Sequence, residues 1–193
     1  MKHSDASYLS GKLLLAMPAI GDARFHRSVI YICAHDENGA MGLVINYPAP
    51  ELKFASLLDQ LGISSDIEID VKTLDLPVLN GGPVETGRGF LLHSNDFKQE
   101  DTVAVDEDFS VTGTTDALRA VAKGDGPKKA LFILGYAGWT PGQLEQELQQ
   151  NTWLVVEPDR ALVFEGKPEQ KWERAMDKLG LDPSMLSGDG GRA

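Results

Sequence analysis

The chain has 193 residues, with 18 Lys+Arg against 29 Asp+Glu and a formal net charge of −11. At about 150 residues per domain this length fits one domain spanning 1–193, and its 42% apolar and 24% charged residues exclude wholesale disorder or a fibrous repeat. The acidic balance repels phosphate backbones and anionic lipid, and no basic stripe offsets it, so neither nucleic acid nor membrane is an expected partner.

Lys2 precedes an apolar stretch at 13–16, yet Asp5, Lys12 and Pro18 interrupt what a signal peptide requires. No window approaches the ~20 apolar residues of a membrane span. Cys33 is the single cysteine, which excludes an internal disulfide and fits a reducing compartment. A soluble cytoplasmic protein is the expectation.

Residues 12–17 read as a strand stopped by Pro18, and 19–27 as a polar loop turning at Gly21-Asp22. Apolar, partly β-branched runs at 28–35 and 41–46 flank Asp36-Glu37-Asn38-Gly39. Asn-Gly is a preferred hairpin pair because both residues tolerate positive φ, so an antiparallel hairpin turning at Asn38-Gly39 is predicted. Phe54, Leu57, Leu58 and Leu61 form one helical stripe that Gly62 ends. Residues 77–79 are a short extended piece before the turn-rich Asn80-Gly81-Gly82-Pro83, and 90–93 form another strand. A second hairpin is predicted at 102–105 and 109–112, then a helix over 115–123 ended by Gly124.

A strand at 130–134 leads to a helix with Thr140 as N-cap, Pro141 at its first position and Gln143 completing a capping box. Trp139 and Leu144 occupy its staple positions, and the helix runs to Gln150. Residues 153–157 and 161–164 read as strands paired across Pro158-Asp159-Arg160. The last helix covers 168–179 with Trp172, Ala175, Met176 and Leu179 inward, and the Gly-rich tail from Ser187 is expected to fray. Strands outnumber helices, two hairpins make the sheet mixed and largely antiparallel, and 130–157 is βαβ-like. That mixture is α+β.

Three of the four histidines and the thiol stand near strand ends: His26, Cys33 and His35, and His93. Cys33 and His35 alternate along a strand and are expected on one sheet face. A zinc site needs three or four ligands at knuckle or helical spacing, and neither Cys-x-x-Cys nor His-x-x-x-His occurs, so no metal or other cofactor is expected. Cys33 lies in an apolar run rather than the electropositive setting a reactive thiolate needs. No Gly-x-Ser-x-Gly, Gly-x-Gly-x-x-Gly or P-loop is present. The glycines at 81–82 and in Gly135-Tyr136-Ala137-Gly138 do allow close backbone approach. Pockets open at the ends of strands. Asn80, Gly81, Gly82 and Pro83, with at least two of His26, His35 and His93, are therefore the candidate lining of one cleft.

Several ordered blocks carry a family resemblance. Leu9-Ser10-Gly11-Lys12-Leu13, Phe25-His26-Arg27-Ser28, Asn38-Gly39-Ala40-Met41-Gly42 and Gly81-Gly82-Pro83-Val84 are four of them. With Leu134-Gly135-Tyr136-Ala137-Gly138-Trp139 and Asn151-Thr152-Trp153 they resemble, over nearly the whole chain, the YqgE/AlgH family of bacterial proteins. The resemblance implies a mixed sheet curled into an incomplete barrel with flanking helices. Some relatives are labelled transcriptional regulators through a link to alginate production, and the family brings no agreed catalytic residue or cofactor. Three functions stay open. The first is a non-catalytic or regulatory protein that binds a small ligand or a protein partner. The second is an enzyme using His26, His35 or His93 near the Gly81-Gly82 loop. The third is a transcriptional regulator, for which charge disfavours direct DNA contact.

Fluorescence anisotropy with labelled duplex DNA at physiological salt should show no binding, although non-specific binders reach about 10⁻⁴ to 10⁻⁶ M there. Micromolar affinity with a steep salt slope would contradict the charge reading.

Overall fold

Leu13, Leu14, Leu15 and Ala16 are all buried, although successive side chains on a strand point to opposite faces. Both faces of the sheet must therefore be covered, and the rest of the architecture shows how. The computed structural model describes residues 8–18, 20–64, 67–113 and 115–186. In chain order it has β1 (Leu13–Ala16), β2 (Val29–Asp36), β3 (Gly39–Val44), α1 (Phe54–Gln60), β4 (Val78–Asn80), β5 (Val84–Ser94), β6 (Val103–Ala104) and β7 (Phe109–Thr112). Then come α2 (Thr115–Lys123), β8 (Ala130–Trp139), α3 (Gln143–Gln149), β9 (Trp153–Val156), α4 (Arg160–Phe164) and α5 (Lys171–Lys178).

The strands form one nine-stranded sheet in the order β6-β7-β5-β8-β3-β2-β1-β9, with β4 beside β8. The β4–β8 pair is parallel and the other neighbours are antiparallel. Every strand except β6 sends a side chain into one inner cluster, where Tyr31 and Phe109 meet Val163 of α4 and Trp172 of α5. The sheet is thus curled around this cluster into an incomplete barrel, with β6 and β9 at its unjoined ends. Outside, Leu144 of α3 covers Leu14, Ile30 and Ile32, while α1 and α2 cover Val78, Leu91 and Phe132. This is an α+β fold.

One crossing organises the centre. β8 bends at Gly135 (φ +76°), so that residues 130–136 pair with β5 on one edge. On its other edge, residues 132–134 pair with β4 and 137–139 with β3. Gly81 joins the three strands: its N–H donates to the Leu134 carbonyl at 2.7 Å, and its carbonyl accepts from Val44 N–H at 3.0 Å. The chain then passes over the β8 backbone to begin β5 on the opposite edge. A Cβ on Gly81 would lie 2.3 Å from the Gly135 carbonyl oxygen, and one on Gly82 (φ +147°) 2.3 Å from the Tyr136 carbonyl carbon. Only glycine admits this approach.

Several local expectations need correction. The first hairpin turns at Glu37-Asn38, since Asp36 pairs with Gly39. Gly39 serves instead to pass the Trp139 carbonyl, which a Cβ would meet at 2.2 Å. Residues 161–164 lie in a helix, not a strand, because the Asp159 carboxylate accepts from Leu162 N–H at 2.8 Å and caps α4. β9 pairs with β1 instead. Thr140 is not a side-chain cap: Thr140 to Gln143 form a turn with Gly142 at φ +78°, closed by the Thr140 carbonyl accepting from Gln143 N–H at 3.0 Å. Half the capping box survives, with Gln143 Oε1 accepting from Thr140 N–H at 3.0 Å. Leu61 and Leu179 are exposed rather than inward. The tail from Ser187 lies outside the described residues.

The crossing sets an expectation for stability. Gly82→Ala combines a backbone clash with a disfavoured φ and should cost about 3 kcal/mol in urea unfolding. Gly87→Ala, whose Cβ would meet nothing within 4 Å, should leave the midpoint in place. Equal midpoints for the two variants would contradict the crossing.

Candidate functional site

The structure separates the groups that sequence brought together. On β2, Ile32 pairs with Gly42 and Ala34 with Met41, so Cys33 is the extra residue of a bulge. The bulge reverses the alternation of the strand. Cys33 packs with the inner cluster, whereas His35 turns outward to Leu9 and α3. The expected shared face of Cys33 and His35 is thereby lost. Burial pushes the Cys33 thiol up to about 12, which keeps it protonated and unreactive at neutral pH.

His35 is buried with both ring nitrogens engaged. Nδ1 accepts from Leu9 N–H at 3.0 Å, so Nε2 carries the proton and donates to Glu145 Oε1 at 2.7 Å. The Glu145 carboxyl is held below its ordinary value, first by its own backbone N–H and further by His35. His93, fully buried at the end of β5, closes a directed chain. Gln99 N–H donates to Thr102 Oγ1, the Thr102 hydroxyl to Thr112, and the Thr112 hydroxyl to His93 Nε2, each at 2.8 Å. Its Nδ1 donates to the Ser94 carbonyl at 2.8 Å, which leaves Nε2 as the acceptor of the neutral ring. Burial lowers the pKa of this ring. His26 is exposed, and its carbonyl accepts from the Tyr47 hydroxyl.

Asn80, Gly82 and Pro83 share a cleft of about 230 Å³ with Arg24, Phe25, Tyr47 and Thr86, but none of His26, His35 and His93 lines it, so the expected histidine-lined cleft does not form. Asn80 Oδ1 accepts from Gly82 N–H at 3.2 Å and stiffens the segment, while Gly81 lies buried beneath it. Asn80 and Thr86 also line a neighbouring cleft of about 350 Å³ beside Pro48 and Leu52. Arg24, Phe25 and Pro83 continue into a third, of about 560 Å³, that reaches Trp139, Glu147 and Trp153. At the other end, Leu52 and Thr86 lead to an apolar cavity of about 460 Å³ between α1, α2 and β5. The segment at 80–86 is the common wall of this furrow.

Sequence reasoning missed what the furrow holds at the Trp139 end. Glu147 Oε2 accepts from both indoles, Trp139 Nε1 at 2.7 Å and Trp153 Nε1 at 3.0 Å. The rings of Trp139 and Phe25 each meet Trp153 edge-on, with centroids 6.0 Å apart. Arg24 forks onto Asp22, with Nη2 to Oδ2 at 2.7 Å, and holds the Asp22 carboxyl below its ordinary value. The available signal was that a buried indole N–H needs an acceptor and that α3 supplies few candidates. Among the described residues no group of three or more His, Cys, Asp or Glu is placed to hold a metal, and no helix is long and apolar enough to cross a membrane.

Residues 13–184 match the family described as AlgH-like. The chain is 52% identical over 194 residues to a UPF0301 protein of Bradyrhizobium diazoefficiens, covering 98% of this chain and 91% of that one. It is 53% identical over 190 residues to a UPF0301 protein of Rhodopseudomonas palustris, covering 96% and 87%. The solution structure of the AlgH protein from Pseudomonas aeruginosa is similar with a TM-score of 0.78, at 41% identity and 100% coverage of both chains. A crystal structure of a Corynebacterium diphtheriae protein, 18% identical with a TM-score of 0.71 and covering 97% and 94%, shares the fold.

The His93 chain sets a pH dependence. A histidine whose folded pKa is lowered contributes stability above about pH 6.5, its unfolded value, and loses it as pH falls through the folded value, because the unfolded chain binds the proton first. The gap in unfolding free energy between the native chain and His93→Gln should therefore shrink between about pH 7.5 and about pH 5.5. A gap that stays constant in urea melts across this range would contradict the assignment.

Proposed function

The chain belongs to the AlgH-like family, and on that premise we propose that it is a non-catalytic binding protein whose ligand sits in the furrow walled by residues 80–86. The observation that carries this reading is the crossing of Gly81 and Gly82 over β8, which pre-forms a rigid wall shared by adjoining clefts of about 350, 230 and 560 Å³. Small-molecule sites are concavities of this size, largely formed in advance and carrying a few placed polar groups. Asn80, Thr86, Arg24 and Glu147 are those groups here. The side chains most suited to chemistry face elsewhere. His35 and His93 spend both ring nitrogens on protein partners, and the Cys33 thiol is buried and protonated. A regulatory effect would run through the bound ligand or partner rather than through nucleic acid, given the net charge of −11.

Screening a fragment library by amide NMR tests the reading. Hits should move the amide signals of Asn80, Gly82 and Thr86 together, and Thr86→Trp, at an exposed position that walls three of the clefts, should abolish them while leaving the unfolding midpoint unchanged. Hits confined to other surfaces, or unaffected by Thr86→Trp, would contradict it.

A further inference from the structure

Among the described residues Glu147 is a carboxylate without a counter-ion. Its oxygens accept from Trp139 Nε1, Trp153 Nε1 and, at 3.3 Å, Gln143 Nε2, all of them neutral donors. Among the described residues no Lys, Arg or His nitrogen stands within ion-pair distance of it, whereas Asp22 has Arg24. Two indole N–H groups orient the charge but do not neutralise it, and a carboxylate keeps about four acceptor positions in all. It lines the 560 Å³ end of the furrow, where Arg24, the cation among the lining residues, is already forked onto Asp22. Phe25, Trp139 and Trp153 supply aromatic surface, against which a cation gains a further electrostatic attraction.

We propose that the cleft between Glu147, Phe25 and Arg24 binds an organic cation, a guanidinium or ammonium group, with Glu147 as its counter-charge. The proposal rests on reading the furrow as a ligand seat and names the chemistry at one end of it. The group can arrive on a free small amine or on an arginine or lysine side chain of a partner. Both present the same head to Glu147, and the cleft has room for either.

The three indole N–H signals of the native chain report directly. Trp172 Nε1 donates to the Ala16 carbonyl at 3.0 Å inside the core and serves as the internal reference. Agmatine is the free cation, acetylated and amidated Gly-Arg-Gly the side-chain source, and succinate the anionic control. Agmatine or the peptide should shift the Trp139 and Trp153 signals and leave Trp172 in place, with affinity falling as salt rises. Whichever binds more tightly identifies the source. Glu147→Gln keeps an acceptor for the indoles but removes the charge and should weaken binding about tenfold, while Arg24→Gln should strengthen it. An unmoved Trp172 signal certifies that each variant is folded. Equal affinity in Glu147→Gln, or shifts with succinate alone, would overturn the cation assignment while leaving the furrow as a ligand seat. No furrow signal moving with these compounds overturns the cation assignment, and the fragment screen then decides the furrow separately.

Discussion

The passage of Gly81 and Gly82 across the β8 backbone is the constraint on which the rest of the molecule depends. β4 and β5 lie on opposite edges of the same stretch of β8, one parallel and one antiparallel, so the chain between them has to cross that strand. A crossing at van der Waals distance of one backbone on another leaves no room for Cβ, and the gaps of 2.3 Å at both glycines show how little. Because Gly81 also bonds to Leu134 and Val44, the same few atoms fasten β3, β4 and β8 together. The bend of β8 at Gly135, and with it the curl of the sheet, is set at this point. So is the wall of the furrow, which is why a surface segment with several exposed residues presents a fixed shape.

The polar groups divide between two uses. His35 with Glu145, and His93 with Thr112 and Thr102, satisfy one another away from the furrow, as buried polar groups must. Leu9 N–H can only donate to His35 and the Ser94 carbonyl can only accept from His93, and neither ring has a nitrogen left for a substrate. Glu147 is different. It ties Trp139 of β8 to Trp153 of β9, strands that run in the same direction with β3, β2 and β1 between them, and it keeps an unneutralised charge at the furrow. One residue thus links packing on the outer face to the chemistry of the cleft.

Much of the fold is legible in the sequence because it depends on local pattern. The apolar runs that became β2 and β3, the stripe at Phe54 and Leu58, and the hairpin capped by Asp106 follow from spacing alone. Where tertiary contacts decide, the reading slips. Asn38-Gly39 looked like a turn pair, but Gly39 is spent on the Trp139 carbonyl, and the turn moved one residue back. Residues 161–164 have strand-like composition, yet one carboxylate, Asp159, starts a helix there. Of the candidate site, Asn80, Gly82 and Pro83 line one cleft, but the histidines expected beside them do not. The histidine directions were not readable, because a single-residue bulge at Cys33 inverts which face His35 takes. Nothing in local spacing announces a bulge.

The most direct measurement of the central claim is native-state hydrogen exchange at Gly81 and Val44. Gly81 N–H bonds to Leu134 and Val44 N–H to Gly81, so both amides sit in the crossing itself. If the crossing fastens the sheet, both should exchange only through global unfolding, with the same free energy as urea denaturation reports. If they exchange as fast as the exposed Gly87 while β2 amides stay protected, the crossing is a loose surface contact and does not organise the fold.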